Sequence, residues 1–200
     1  MAKRRTRGKR YPLLIYRRLF SLYAGPLVML FLVSAAPLGA TFVWELPRLQ
    51  PIRWTLVIIA VISILLLLAL FVARWLAFVR CRTNSLLIQV PLYQVVISYG
   101  RIRLTRPAEF ARIFPPRGQT WSQRRFLESL WGRTVIVVET KGLPLPRWWL
   151  RLWLSKYLLL PHDSGFVFAV EDWMGLSQEI DSFRSNWLLR RKEMQVPGTF

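Results

Sequence analysis

Two long stretches of the chain contain no charged residue, and they restrict its architecture more than any other feature. Residues 19–44 and residues 54–73 are both free of Asp, Glu, Lys and Arg. A helix crosses about 30 Å of hydrocarbon with roughly 20 residues, so each stretch is long enough to span a bilayer. The remaining chain could not easily enclose two such helices as the core of a soluble protein. We therefore predict a transmembrane hairpin, with helices at residues 19–44 and 54–78 and an external turn at residues 45–53.

A cleavable signal peptide is the alternative explanation of the first stretch. Signal peptides have apolar cores of roughly 7–15 residues, and this stretch is much longer. The small residues 34–36 are followed by Pro37, which is unfavourable after a cleavage site. An uncleaved anchor is the better interpretation, and because neither stretch contains a charged residue, we expect the anchor to have no conduction pathway.

Basic residues predict the orientation of the hairpin. Eight lysines and arginines and no acidic residue precede the first stretch, whereas the turn carries only Arg48 and Arg53 against Glu45. Because positive residues concentrate on the cytoplasmic side, both chain ends are expected inside the plasma (inner) membrane. Residues 1–18 are then a basic cytoplasmic tail that is attracted to anionic lipid. A nucleic-acid-binding arm is the less favoured alternative for this tail.

The rest of the chain has the patterns of a small α+β domain. β-branched and alternating runs predict strands at residues 85–90, 93–98, 101–105, 134–140, 152–160 and 166–170. After Asp172, a plausible N-cap, apolar residues recur at helical spacing. We predict an antiparallel β-barrel or sandwich over residues 80–192, closed by a C-terminal helix, and a tail at residues 193–200.

This arrangement resembles the pleckstrin-homology (PH)-like fold. The chain is similar to bacterial membrane proteins that place a PH-like domain directly after two transmembrane helices, and the segment 98–103, Ser-Tyr-Gly-Arg-Ile-Arg, resembles the start of their third strand. The resemblance implies no catalytic residue. The chain departs from it through a long insertion at residues 110–132.

No pattern in the sequence indicates an enzyme. His162 is the one histidine, and with Asp163 and Ser164 it lies in a segment typical of a turn rather than of a catalytic triad. Cys81 is the one cysteine, so neither a disulfide nor a Cys/His metal site is expected. We expect a protein without catalytic residues, metal or cofactor.

The net charge of +19 predicts an anionic partner. We interpret six arginines as the candidate surface for anionic lipid or a partner protein, and six aromatic residues from two Trp/Arg-rich segments as the candidate membrane interface. The arginines are Arg101, Arg103, Arg106, Arg112, Arg124 and Arg125, and the aromatic residues are Trp121, Phe126, Trp131, Trp148, Trp149 and Trp153. The alternative for these aromatic residues is that they pack on the domain itself.

The leading hypothesis is a non-catalytic, membrane-anchored PH-like module that binds lipid headgroups or a partner protein at the inner leaflet. Two alternatives remain open. The chain could be a structural subunit of a larger membrane complex, or a homo-oligomer, because Gly25, Pro26 and Pro37 would let a neighbouring helix approach. It could also bind nucleic acid at the membrane, which the tether makes the least favoured of the three.

Overall fold

The structure, a computed structural model, describes residues 7–44 and 53–195. The chain forms two compact units. One is the segment Tyr16–Trp75, and the other combines the chain before this segment with the chain after it. The predicted external turn, apart from Arg53, and residues 196–200 of the predicted tail lie outside the described residues.

Two long apolar helices form the first unit, as predicted. Helix α1 comprises Leu14–Trp44 and helix α2 comprises Arg53–Leu76. Both are long and apolar enough to cross a membrane. The hydroxyl of Ser63 donates a hydrogen bond of 2.8 Å to the carbonyl oxygen of Ile59, so this buried polar group is satisfied within its own helix. Phe20 of α1 meets Phe71 of α2 edge to face, with ring centroids 6.0 Å apart.

Seven strands in two antiparallel sheets form the second unit. The first sheet has the order β1-β2-β3-β4 and the second has the order β5-β6-β7. The strands are β1 (Arg7–Pro12), β2 (Phe78–Arg82), β3 (Ser85–Gln89), β4 (Gln94–Ser98), β5 (Ile102–Glu109), β6 (Thr134–Thr140) and β7 (Gly165–Phe168). The coarse prediction of an α+β domain with antiparallel sheets is therefore confirmed.

Of the predicted barrel or sandwich, the barrel is wrong, because the sheets that the structure describes are not closed into one. β4 and β5 follow one another in the chain but belong to different sheets. Between them a 3₁₀ turn at Tyr99–Arg101 leads the chain out of the first sheet. Tyr99 is buried in this turn and its hydroxyl donates to the carbonyl oxygen of Arg82 at 2.9 Å, which holds the redirected backbone against β2.

The long helix α6 (Trp173–Gln195) confirms the predicted C-terminal helix. Its residues Leu176 and Ile180 are fully buried, and Arg190 donates to the carbonyl oxygen of Thr83 at 2.7 Å. At its start, a carboxylate oxygen of Asp172 accepts the backbone N–H of Gly175 at 2.9 Å. This hydrogen bond, together with the nearby ammonium of Lys9, lowers the pKa of the Asp172 carboxyl group.

Strands β1 and β2 were not predicted from the sequence. β1 lies within the segment that we expected to be a basic tail, and β2 follows directly on the apolar helix α2. The two strands pair antiparallel, and the Arg80 side chain donates to the carbonyl oxygen of Gly8 at 2.8 Å. β1 is an outer strand of its sheet, and basic residues together with Pro12 are typical of such edges because they discourage further pairing.

The predicted strand at residues 152–160 is wrong. Helix α5 (Arg147–Trp153) begins after Pro146 and runs into this segment, and a 3₁₀ turn at Lys156–Leu158 follows it. Leu150 and Leu154 are buried four residues apart, which is the spacing of one helix face. The insertion between β5 and β6 contains two short helices, α3 (Phe110–Ile113) and α4 (Trp121–Trp131).

Candidate functional site

The transmembrane candidate segment joins the sheet domain at one end of the first sheet. Pro12 of β1 pairs with Phe78 of β2, and Phe78 pairs with Gln89 of β3. Just beyond this row, the backbone N–H of Leu13 donates to the carbonyl oxygen of Ala77 at 3.0 Å. The chain therefore leaves and re-enters the domain at neighbouring points, and we call this end of the sheet the connection end.

A second turn lies at the connection end and carries an exposed apolar side chain. Gln89 pairs with Gln94, so the turn between β3 and β4 belongs to the same end of the sheet as Phe78. The turn is closed by a hydrogen bond of 2.9 Å from the backbone N–H of Val90 to the carbonyl oxygen of Tyr93. Within it Leu92 is 81% exposed, and it therefore has little intramolecular packing.

Helix α5 lies at the connection end because its last residue stacks on that turn. The rings of Trp153 and Tyr93 are 5.9 Å apart and nearly parallel, at 16°. Trp149 lies edge to face against Trp153 at 6.2 Å and against Trp148 at 5.4 Å. This continuous row of rings extends from the turn along the helix.

The faces of α5 differ in chemistry. Trp148 and Leu152, four residues apart, are 68% and 66% exposed. Arg147 and Arg151, also four residues apart, lie on the neighbouring face. Leu92, Trp148 and Leu152 are thus three exposed apolar side chains carried by two adjacent elements, and we call them the apolar rim.

The basic face of α5 borders a cleft of about 290 Å³. Three cationic side chains, Arg147, Arg151 and Lys156, line it together with His162 and Gln119, and no carboxylate is among its lining residues. We call this cavity the basic cleft. Its apolar lining comes from Ile113, Phe114, Pro115, Tyr157, Leu159, Leu160 and Pro161.

Arg147 is the fixed member of this group. One terminal nitrogen of its guanidinium donates to the carbonyl oxygen of Leu160 and, at 2.8 Å, to that of Pro161. Its Nε atom is buried and has no hydrogen-bond partner within the described part of the chain. Arg151 and Lys156 are exposed, and the Lys156 ammonium lies 4.9 Å from the centroid of the Tyr157 ring. The cleft thus combines one cation in a fixed orientation, Arg147, with two exposed cations, Arg151 and Lys156, whose side chains can change conformation.

The six arginines predicted from the sequence differ in their surroundings. Arg106 pairs with Glu139 at 2.9 Å and Arg112 pairs with Glu109 at 3.0 Å. Arg103 lines a different cleft that also contains Glu139 and Asp163. The other three arginines are Arg101, an exposed residue of the 3₁₀ turn, Arg124, which donates to the carbonyl oxygen of Gln119, and Arg125, which lies over the Trp121 ring.

The predicted membrane-interface residues divide between the two helices. On α4, Phe126 is buried and stacks on Tyr157 at 5.6 Å, and the Trp131 indole N–H donates to the carbonyl oxygen of Phe114 at 3.0 Å. Trp121 of the same helix is exposed. On α5, Trp148 is exposed, whereas Trp149 and Trp153 are half-buried in the row of rings.

Sequence reasoning missed the contributions of Lys156, Leu92 and His162 to this region. Lys156 was assigned to a strand and His162 to an isolated turn, and only the tertiary fold brings them to the same cleft. The available signal was the spacing in α5, where Arg147 and Arg151 repeat at four residues beside Trp148 and Leu152. This pattern indicates a helix with a basic and an apolar face.

Comparisons of the chain with protein-family models, with curated proteins and with solved structures found no match. Within residues 7–44 and 53–195, no group of three His, Cys, Asp or Glu side chains is positioned to hold a metal ion. The interpretation of the site therefore depends on its own residues, which are the cations of the basic cleft and the exposed side chains of the apolar rim.

Proposed function

We propose that this chain is a non-catalytic, membrane-anchored module whose sheet domain lies on the inner leaflet and binds anionic lipid headgroups there. One observation carries the proposal: the connection end, where the chain passes into the candidate membrane spans, also carries the apolar rim and α5. Lipid begins within a few residues of Leu13 and Ala77 if the helices span the bilayer. Exposed Trp and Leu next to Arg suit this headgroup layer, in which indole lies at the apolar boundary and guanidinium meets phosphate.

The ends of α2 support the spanning part of the proposal. Trp54 and Trp75 are 76% and 70% exposed. They are 21 residues apart, which corresponds to about 32 Å at 1.5 Å per helical residue. This distance matches the hydrocarbon thickness of about 30 Å, and tryptophan is enriched at both membrane–water boundaries. Arg17, Arg18 and Arg74 flank the spans at the ends joined to the domain, as the positive-inside rule expects of a cytoplasmic side.

The order of elements supports the PH-like part of the proposal. Four strands, then three strands, then one long helix follow each other in the second unit. One difference from the expected arrangement is that the candidate spans interrupt the domain after β1 rather than preceding it.

The test compares two turns at opposite ends of β3. In the full chain, reconstituted in vesicles with anionic lipid, Leu92→Cys and Asn84→Cys variants are labelled with an environment-sensitive fluorophore. Strand β3 separates the two positions by about 17 Å. The native Cys81 does not interfere because it is fully buried, and burial raises its pKa to about 12.

We expect quenchers attached to lipid acyl chains to quench the label at position 92, and aqueous iodide to quench the label at position 84. Equal aqueous quenching at both positions would overturn the proposal. Protection of position 92 from both quenchers would instead indicate a protein partner, as expected of a subunit in a larger complex. Retention of bound DNA or RNA by the purified chain would favour the nucleic-acid alternative.

A further inference from the structure

The basic cleft differs from the neighbouring clefts in its net charge. The cleft beside Arg103 contains Glu139 and Asp163, and the cleft beside Arg106 and Arg112 contains Glu109 and Asp163. In each of these, carboxylates lie next to the arginines and offset their charge. The basic cleft has three cations and no carboxylate among its lining residues, so its lining attracts an anion.

Arg147 gives the basic cleft a preformed donor. Its hydrogen bonds to the carbonyl groups of Leu160 and Pro161 hold the guanidinium in one orientation. Guanidinium is the side-chain group best suited to phosphate because its planar set of donors matches two phosphate oxygens. A donor that is already ordered loses less conformational entropy when a ligand binds.

The position of the basic cleft indicates the source of the anion. Arg147 and Arg151 face the cleft, and Trp148 and Leu152 of the same helix belong to the apolar rim. If the rim enters the boundary of the leaflet, the cleft opens at the depth of the lipid phosphates. Its volume of about 290 Å³ lies just below the roughly 300–1,000 Å³ of ligand pockets, which suits a headgroup rather than a whole lipid.

We propose that the basic cleft binds the phosphate group of an anionic phospholipid, held by Arg147 and completed by Arg151 and Lys156. This inference rests on the proposed function and gives it a defined ligand site. The shared chemistry is a phosphate anion, and the lipid is its source because the apolar rim adjoins the cleft. A free phosphate ion would use the same cations but would gain nothing from the rim.

The experiment measures lipid binding to the full chain by native mass spectrometry from detergent micelles. The micelles contain phosphatidate or phosphatidylcholine at equal mole fraction, with and without an excess of inorganic phosphate. We expect one phosphatidate per chain above the level of phosphatidylcholine, and no displacement by inorganic phosphate. Equal retention of the two lipids would overturn the proposal, and displacement by inorganic phosphate would overturn the assignment to a lipid.

The test variant is Arg151→Gln/Lys156→Gln, because both residues are exposed and their replacement leaves the interior intact. We expect the affinity for phosphatidate to fall about tenfold to a hundredfold, as for the loss of charge-assisted hydrogen bonds. The matched control Arg101→Gln/Arg103→Gln removes the same charge from exposed residues outside the cleft and should retain the lipid like the wild type. Equal losses in the two variants would show a non-specific charge effect and would overturn the site.

The two proposals fail separately. If aqueous iodide quenches the label at position 92 in vesicles while phosphatidate binding still depends on Arg151 and Lys156, the result would exclude the contact with the leaflet and would support the anion site. If the label is in lipid while the cleft variant binds phosphatidate normally, the leaflet contact stands and the cleft is not the site.

Discussion

Helices α4 and α5 precede and follow β6 in the chain, and both are short, basic and rich in tryptophan. They differ in what they do with their apolar side chains. α4 turns Phe126, Leu127 and Leu130 into the domain, where all three are buried. α5 buries Leu150 but leaves Trp148 and Leu152 largely exposed. The two helices are thus similar in composition, but the apolar residues of α4 pack inside the domain, whereas two of those in α5 form part of its surface.

The largest difference should appear when each helix loses one aromatic ring. Phe126→Ala removes a buried ring that stacks on Tyr157, and we expect it to lower the free energy of unfolding by about 3–5 kcal/mol. The measurement is thermal unfolding of the full chain in detergent, followed by the reaction of Cys81 with a fluorogenic maleimide. The thiol is fully buried, so it reacts when the domain opens.

The matched control is Trp121→Ala on the same helix. Trp121 is 76% exposed, so its replacement should change the free energy of unfolding by no more than about 0.5 kcal/mol. If Phe126→Ala were as mild as this control, α4 would not be held by its apolar face and its contrast with α5 would disappear.

The amphipathic pattern of α4 could be predicted because its period lies within one continuous segment. Thr120 and Gln123 mark its start and the buried residues repeat at helical spacing, all in sequence order. The same reasoning predicted β3, β4, β6 and α6. In these elements, burial on one face leaves a local pattern of apolar residues.

The α5 region could not be predicted in the same way. The run from Leu152 to Leu160 contains enough apolar residues to suggest a strand, and the choice of helix depends on tertiary packing of Leu150 and Leu154. The basic cleft is lined by segments far apart in sequence, which contribute Gln119, Arg147 and His162. Strand β1 pairs with β2, and the two apolar helices separate these strands in the sequence. No local pattern of residues indicates a pairing over such a distance along the chain.

An intermediate effect is expected at the start of α5. Arg147→Gln removes the guanidinium that donates to the carbonyl groups of Leu160 and Pro161, and we expect a loss of about 1.5–3 kcal/mol, the usual contribution of charged hydrogen bonds. The same thermal assay measures it. The control Arg151→Gln removes an equal charge from the next turn of the helix and should leave the unfolding temperature unchanged, because no described side chain or carbonyl group bonds to Arg151.

A smaller effect is expected at the start of α4. The Gln123 side chain accepts a hydrogen bond of 3.4 Å from the backbone N–H of Thr120, and the pair forms a capping box. Thr120→Ala should lower the free energy of unfolding by about 1 kcal/mol, and Thr120→Ser should restore most of it. An equal loss in Thr120→Ser would show that the methyl group, rather than the cap, stabilises the helix.

The smallest effect on stability is expected at the apolar rim. In the double variant Trp148→Ala/Leu152→Ala, both side chains are already largely exposed, so the free energy of unfolding in detergent should change by no more than about 0.5 kcal/mol. In vesicles the same variant should reduce acyl-chain quenching of a label at position 92, because two apolar anchors of the connection end are gone. A loss of stability as large as that of Phe126→Ala would mean that α5 is held by internal packing like α4. An unchanged quenching signal would mean that the rim has no part in the lipid contact.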